Sequence, residues 1–167
     1  MNFIHLTEDI YKKQLLPGEK MDVMCSMFLQ ALLRSVQWDC LDFCPSTPEG
    51  PRRQISLYST CRFAMVDAAT RSMFGPHLHE IEPKIVEYMM NFNDHAWMIF
   101  FRYPDFFGLP VTEPRRKIMD ALKKFIRLPE EQRSEQSWSI KSIIAAQEIV
   151  GIDLEAQASV ILLIFWA

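Results

Sequence analysis

Apolar residues along the chain recur at helical spacing almost throughout. In the stretch Glu19–Val36, Met21, Met24, Phe28, Leu32 and Val36 fall three and four apart, which puts one face of a helix against a core. A shorter helix over about His5–Leu16 precedes it and is stopped by Pro17-Gly18. A third spans about Ile55–Phe74 and ends at Gly75-Pro76, because glycine takes the left-handed turn and proline cannot continue the helix. Another begins near His79, with Pro83 tolerated in its first turn. It runs to about Asn93, or to Phe101 with a break. Pro114 suits the first position of a helix over Pro114–Arg127, with Thr112 or Glu113 before it as cap. After the polar stretch Glu130–Gln136 come helices over Ser137–Val150, stopped by Gly151, and Leu154–Ala167, capped by Asp153.

Two segments break the pattern. Residues 39–54 (DCLDFCPSTPEGPRRQ) hold three prolines and a glycine and read as a surface loop. Residues 102–113 (RYPDFFGLPVTE) read as a second loop, in which Phe106 and Phe107 need an apolar hollow or surface to cover them. The predicted fold class is therefore all-α, with residues 1–167 forming one helical unit. The last eight residues, VILLIFWA, contain no polar side chain. A helix apolar on every side needs enclosure. It is either docked in the chain's own core or part of the central helix of a larger fold.

Composition narrows the function classes. The 167 residues carry 18 Lys plus Arg against 21 Asp plus Glu, a net charge of −3, so the basic face that nucleic acid requires is not expected. Hydrophobic residues make up 49%, too many for a disordered chain. MNFIHLTEDI has neither the basic start nor the apolar run of a secretory signal, and no apolar run approaches the length of a membrane span. Reduced thiols in a cytosolic setting are the resulting expectation.

Candidate chemistry is thin. Cys25, Cys40, Cys44 and Cys61 lack the paired spacing of a zinc site, and His77-x-His79 adds no second pair. No nucleophile is tied by a motif to a base. Asp67 inside MVDAATRSMF is placed to pair with Thr70 or, at i,i+4, with Arg71. No catalytic or metal-ligating residue is assigned. The helix over Pro114–Arg127 carries Arg115, Arg116, Lys117, Lys123, Lys124 and Arg127. Beside the Phe106/Phe107 loop this basic face is either simply solvated, or it meets an anionic membrane surface through residues 102–127 or covers a substrate channel.

Several segments, in order, resemble one family. SLYSTCRFAMVDAATRSMFG (Ser56–Gly75) and DLEAQASVILLIFWA (Asp153–Ala167) are similar to helices of the cytochrome P-450 monooxygenases, closest to the sterol and bile-acid hydroxylase branch and its fungal relatives. The second segment resembles the first half of that family's long central helix, and the two helices and apolar lid loop between them have counterparts here. The resemblance covers a central fragment of the family's fold. It implies haem as the family cofactor and hydroxylation of a hydrophobic, steroid-like or secondary-metabolite substrate, with a reductase as partner and the endoplasmic reticulum membrane as location in intact relatives. By carry-over Phe106 and Phe107 match the lid, and Phe165 and Ala167 match the haem-side helix, as substrate-pocket residues. The family's haem-ligating cysteine loop, the Glu-x-x-Arg pair that supports its haem core and its membrane anchor are expected to be missing from these 167 residues, although Glu49-x-x-Arg52, Glu113-x-x-Arg116 and Glu130-x-x-Arg133 have the bare spacing. The expectation is thus a truncated monooxygenase-like chain that binds no haem stably, is inactive alone, and is cytoplasmic or membrane-peripheral. The competing expectation is a stand-alone helical interaction module whose apolar last helix docks into a partner.

Overall fold

The computed structural model describes residues 3–37, 46–49, 52–101 and 109–166. The fold class is all-α. Helix α1 (Phe3–Leu15) stops before Pro17-Gly18, and α2 (Glu19–Ser35) follows. Helix α3 (Leu57–Phe74) starts behind Ser56, whose Oγ accepts from the Ser59 amide, and stops at Gly75 with φ +68°. A Cβ on Gly75 would lie 3.0 Å from that of Glu135, so both the turn and the packing there ask for glycine. Helices α4 (His77–Ile81), α5 (Ile85–His95) and α6 (Trp97–Phe100) come next, with a break at Ala96. Helix α7 (Leu109–Arg127), a short 3-10 turn (Glu130–Arg133), α8 (Trp138–Val150) and α9 (Leu154–Trp166) complete the order.

Three sequence expectations need correction. First, part of the segment read as a loop over 39–54 is an antiparallel hairpin, β1 (Ser46–Glu49) with β2 (Arg52–Ile55), in the register Ser46 to Ile55 and Glu49 to Arg52. Prolines exclude a helix there but not an extended strand. In a two-stranded pair each strand is an edge, where Pro48 can sit without breaking a ladder. Second, Pro83 lies in the turn between α4 and α5, not inside a first helical turn. Third, α7 begins at Leu109, so 109–113 are not loop, Thr112 and Glu113 are not caps, and Pro114 is inside the helix. The apolar stripe explains this: Val111, Pro114, Ile118, Leu122 and Phe125 are all buried and repeat at three and four through the proline. Pro114 forfeits one helical bond, since its missing amide would have met the carbonyl of Pro110, and the buried stripe on either side offsets that loss.

One buried cluster draws on α1, α3, α4, α5, α7, α8 and α9. Phe74, Leu78, Ile85, Ile118, Leu122, Phe125, Ile140, Ile143 and Ile161 are its largest fully enclosed members. Helix α5 lies against α7, α7 against α9, α2 against α3 and α1 against α8. Gln14, buried at the end of α1, ties the last pair together. Its Nε2 donates to the Lys20 carbonyl (2.9 Å) and its Oε1 accepts from the Ser139 amide (3.2 Å). Lys20 Nζ also sits 3.2 Å over the Trp138 ring.

The apolar last helix does find a burial partner on one face. Ala158, Ile161 and Leu162 are buried, whereas Leu163 is exposed. Its start is fixed by Asp153, whose Oδ1 accepts from the amides of Glu155 and Ala156, both at 3.0 Å. Asp153→Ala should therefore cost about 1 kcal/mol. A thermal melt should show a midpoint about 3 °C lower, and an unchanged midpoint would show the cap to be dispensable.

Candidate functional site

The groove with apolar walls is built where α5, α6, α7 and α9 meet. Its volume is about 240 Å³, and it is lined by Phe92, Ala96, Ile99, Arg115, Ser159, Leu162 and Leu163. Each element contributes for a local reason. The break at Ala96 turns the chain between α5 and α6, bringing Phe92 and Ile99 to the same wall. Helix α9 crosses α7, and its residues 159, 162 and 163 share one face by helical spacing. The polar members are Ser159 and the exposed Arg115. Among the described residues Ser159 Oγ has the Met119 sulfur, at 4.0 Å, as its hydrogen-bond partner, a weak bond that leaves its hydroxyl available to a ligand. A site of this kind holds an apolar molecule by burial and orients it through one hydroxyl and one cation.

Of the four residues carried over from the family resemblance, Phe165 lies among the described residues. Phe165 is half-buried and packs on Phe74, ring centroids 5.8 Å apart. It shares that face of α9 with Ala158 and Ile161 and does not itself line the groove. Phe106, Phe107 and Ala167 lie outside the described residues. Sequence reasoning named Arg115 only as part of a basic face and did not single out Phe92, Ala96, Ile99, Ser159, Leu162 or Leu163. Ser159 alone carried a signal, as the last hydrophilic residue before an unbroken apolar run.

A second constellation is polar and buried. The Asp67 carboxylate accepts from Ser35 Oγ (2.7 Å), Arg71 Nε (3.0 Å) and His79 Nε2 (2.8 Å), joining α2, α3 and α4. Burial alone would push its pKa up. The hydrogen bonds from His79, Ser35 and Arg71, with the charge of Arg71, outweigh that and bring it from 3.8 down to about 2. The i,i+4 pairing with Arg71 agrees with the sequence spacing. Thr70 instead donates to the Val66 carbonyl (2.7 Å). His79 Nδ1 is buried with no hydrogen-bond partner among the described residues. Ser35 bonds to the acid rather than to the imidazole, so this is not a nucleophile–base relay. It is a clamp that fixes three helices.

The basic residues of α7 are not all free. Lys123 bridges Asp120 (3.1 Å) and Glu155 (2.9 Å), tying α7 to α9, while Arg115, Arg116, Lys124 and Arg127 face solvent. His77 and His79 point to different acids, Glu80 and Asp67. Cys61 is exposed on α3 and Cys25 half-buried on α2; Cys40 and Cys44 lie outside the described residues. Among the described residues no three metal-ligating side chains gather, and no helix is long and apolar enough to cross a membrane.

Neither described thiol lines the groove. Among the described residues, the groove lining therefore offers no thiolate to a haem iron. Comparison with family models, curated proteins and solved structures gives no match to this chain.

Proposed function

We propose that this chain forms a substrate-side wall of a cytochrome P-450-like monooxygenase fold and binds a hydrophobic, steroid-like or secondary-metabolite molecule in the groove between α5, α6, α7 and α9. The observation that supports this most is the makeup of that groove. Five apolar residues, Phe92, Ala96, Ile99, Leu162 and Leu163, surround one hydroxyl and one cation. Burying a rigid apolar skeleton against such walls is favourable in proportion to the area removed from water. Ser159 and Arg115 then discriminate molecules that offer an oxygen at the matching position.

The chemistry proposed for this chain is binding and orientation. In the family the oxidation itself needs a thiolate on the iron to drive heterolysis of the O–O bond. By this reading the chain is not catalytic by itself, and contact with a membrane surface runs through the exposed cations of α7.

A fluorescent sterol analogue titrated into the purified chain tests the proposal. Saturable binding is expected. Leu163→Arg should weaken it about tenfold, since Leu163 is 61% exposed and its replacement leaves the core intact. Absence of saturation, or equal binding by wild type and variant, would overturn the assignment. Haemin titration is the second arm. A reduced, CO-bound spectrum of thiolate-ligated haem would contradict the claim that this chain holds no iron.

A further inference from the structure

The groove between α5, α6, α7 and α9 takes only part of a molecule. Its volume of about 240 Å³ is below the roughly 300–1,000 Å³ of pockets that enclose a whole drug-sized ligand. An apolar tail fits between its walls, and the rest of the molecule stays at the mouth. Arg115 is exposed, and of the cations on α7 it is the one that lines the groove. An exposed lining residue stands where wall meets solvent. The methylene stem of an arginine lies along an apolar wall in such a place, while its guanidinium stays in water at the rim.

No acidic residue lines the groove. The four helices around it carry Glu87, Asp94, Glu113, Asp120 and Glu155. Asp94 is held by Arg62 (2.6 Å), and Asp120 and Glu155 are held by Lys123 (3.1 and 2.9 Å). Glu113 is two residues from Arg115, a spacing at which helical side chains do not face each other. Glu87 is exposed near the start of α5, five residues before Phe92 and so on another side of that helix. Among the described residues Arg115 forms no ion pair, and the charge at the groove is its own single positive one.

We propose that the ligand of this groove is an amphipathic carboxylic acid, its apolar chain between Phe92, Ile99, Leu162 and Leu163 and its carboxylate on Arg115 at the mouth. This rests on the reading of the groove as the ligand site and adds the chemistry of the head group. A planar guanidinium presents paired N–H donors that match the two oxygens of a carboxylate, and such charge-assisted bonds are about twice as strong as neutral ones. An alcohol of the same chain length keeps the apolar burial but loses that pairing. An amine is repelled by the cation. Ser159, the other polar lining residue, can donate to a neutral oxygen as well as to a charged one, so the preference for charge belongs to Arg115.

Decanoate, decanol and decylamine are the probes, added to the full chain at neutral pH and equal ionic strength, below the concentrations at which they self-associate. The methyl resonances of Leu162 and Leu163 report binding at the groove itself. Decanoate should shift them saturably with a dissociation constant about tenfold below that of decanol, and decylamine should bind more weakly than either. Added salt should narrow the gap between decanoate and decanol, because the pair forms at the surface. Arg115→Gln should bring decanoate to the level of decanol and leave decanol unchanged. Arg115 is exposed, so the variant keeps the fold. Equal binding of decanoate and decanol by the wild type, or a preference that survives Arg115→Gln, would overturn the carboxylate and leave the apolar groove standing. Tighter binding of decyl sulfate than of decanoate would overturn the carboxylate as the head group. If none of the probes moves the two methyl signals, the groove itself falls as a ligand site.

Discussion

Phe74→Ala should destabilise the chain by about 4 kcal/mol, and lower its melting midpoint by about 12 °C. Phe74 is the last residue of α3 and has no exposed surface. Its ring meets Phe125 of α7 edge to face, centroids 5.5 Å apart at 88°, and Phe165 of α9 at 5.8 Å and 51°. Truncation thus removes a large buried surface and opens a void where three helices converge, which close-packed neighbours fill only in part. Phe74→Leu keeps most of the volume and should cost only about 1.5 kcal/mol. Equilibrium denaturation of both variants separates volume from aromatic geometry. A loss below about 1 kcal/mol for the alanine variant would mean that α9 does not depend on this contact. The same experiment bears on Phe165. If that residue serves packing, Phe165→Ala should lose stability and leave sterol binding to the folded fraction unchanged. If it touches ligand, the affinity should fall on its own.

Asp67→Asn is the second large effect, about 3 kcal/mol and a midpoint drop of about 8 °C. Asparagine keeps the shape, so no void forms. It removes the charge that Arg71 pairs with and turns an amide group toward donors already present on Ser35, Arg71 and His79. The pH dependence identifies the cause. The folded state holds the Asp67 pKa at about 2, below the ordinary 3.8. The fold therefore favours the charged carboxylate. Its stabilisation is complete above about pH 4 and is lost as pH falls toward about 2, in total roughly 2 kcal/mol. Other carboxylates titrate in the same window, so the measurement is the difference between wild type and variant across it. The gap should shrink as pH falls. A constant gap from neutral pH down to about 2 would refute the assignment.

Helix ends were legible wherever local chemistry sets them. Pro17-Gly18, Gly75-Pro76, Gly151 and the Asp153 cap each act through their own backbone or side chain, and each stands where the sequence puts it. The start of α7 differs from the sequence expectation because Pro114 reads locally as a first helical residue, whereas the apolar stripe that runs through it back to Val111 sets the helix. The hairpin over 46–55 was missed because prolines say what a segment is not. Tertiary partners were legible only at helical range. Of the three groups on Asp67, Arg71 is four residues away and was anticipated. Ser35 and His79 are 32 and 12 residues away and were not. The groove has the same origin. Its lining spans residues 92 to 163, and nothing local marks Phe92 and Leu162 as neighbours. Phe165 illustrates a different blindness. A helix with almost no polar residues gives no sign of which side turns inward.

The amide of Gln14 bridges α1 to Ser139, a separation of 125 residues. During translation at about 5–20 residues per second, α1 is made on the order of 10 s before the helix whose amide Gln14 accepts from. Throughout that wait the side of α1 that carries Ile10 has no α8 to rest on and stays open to water.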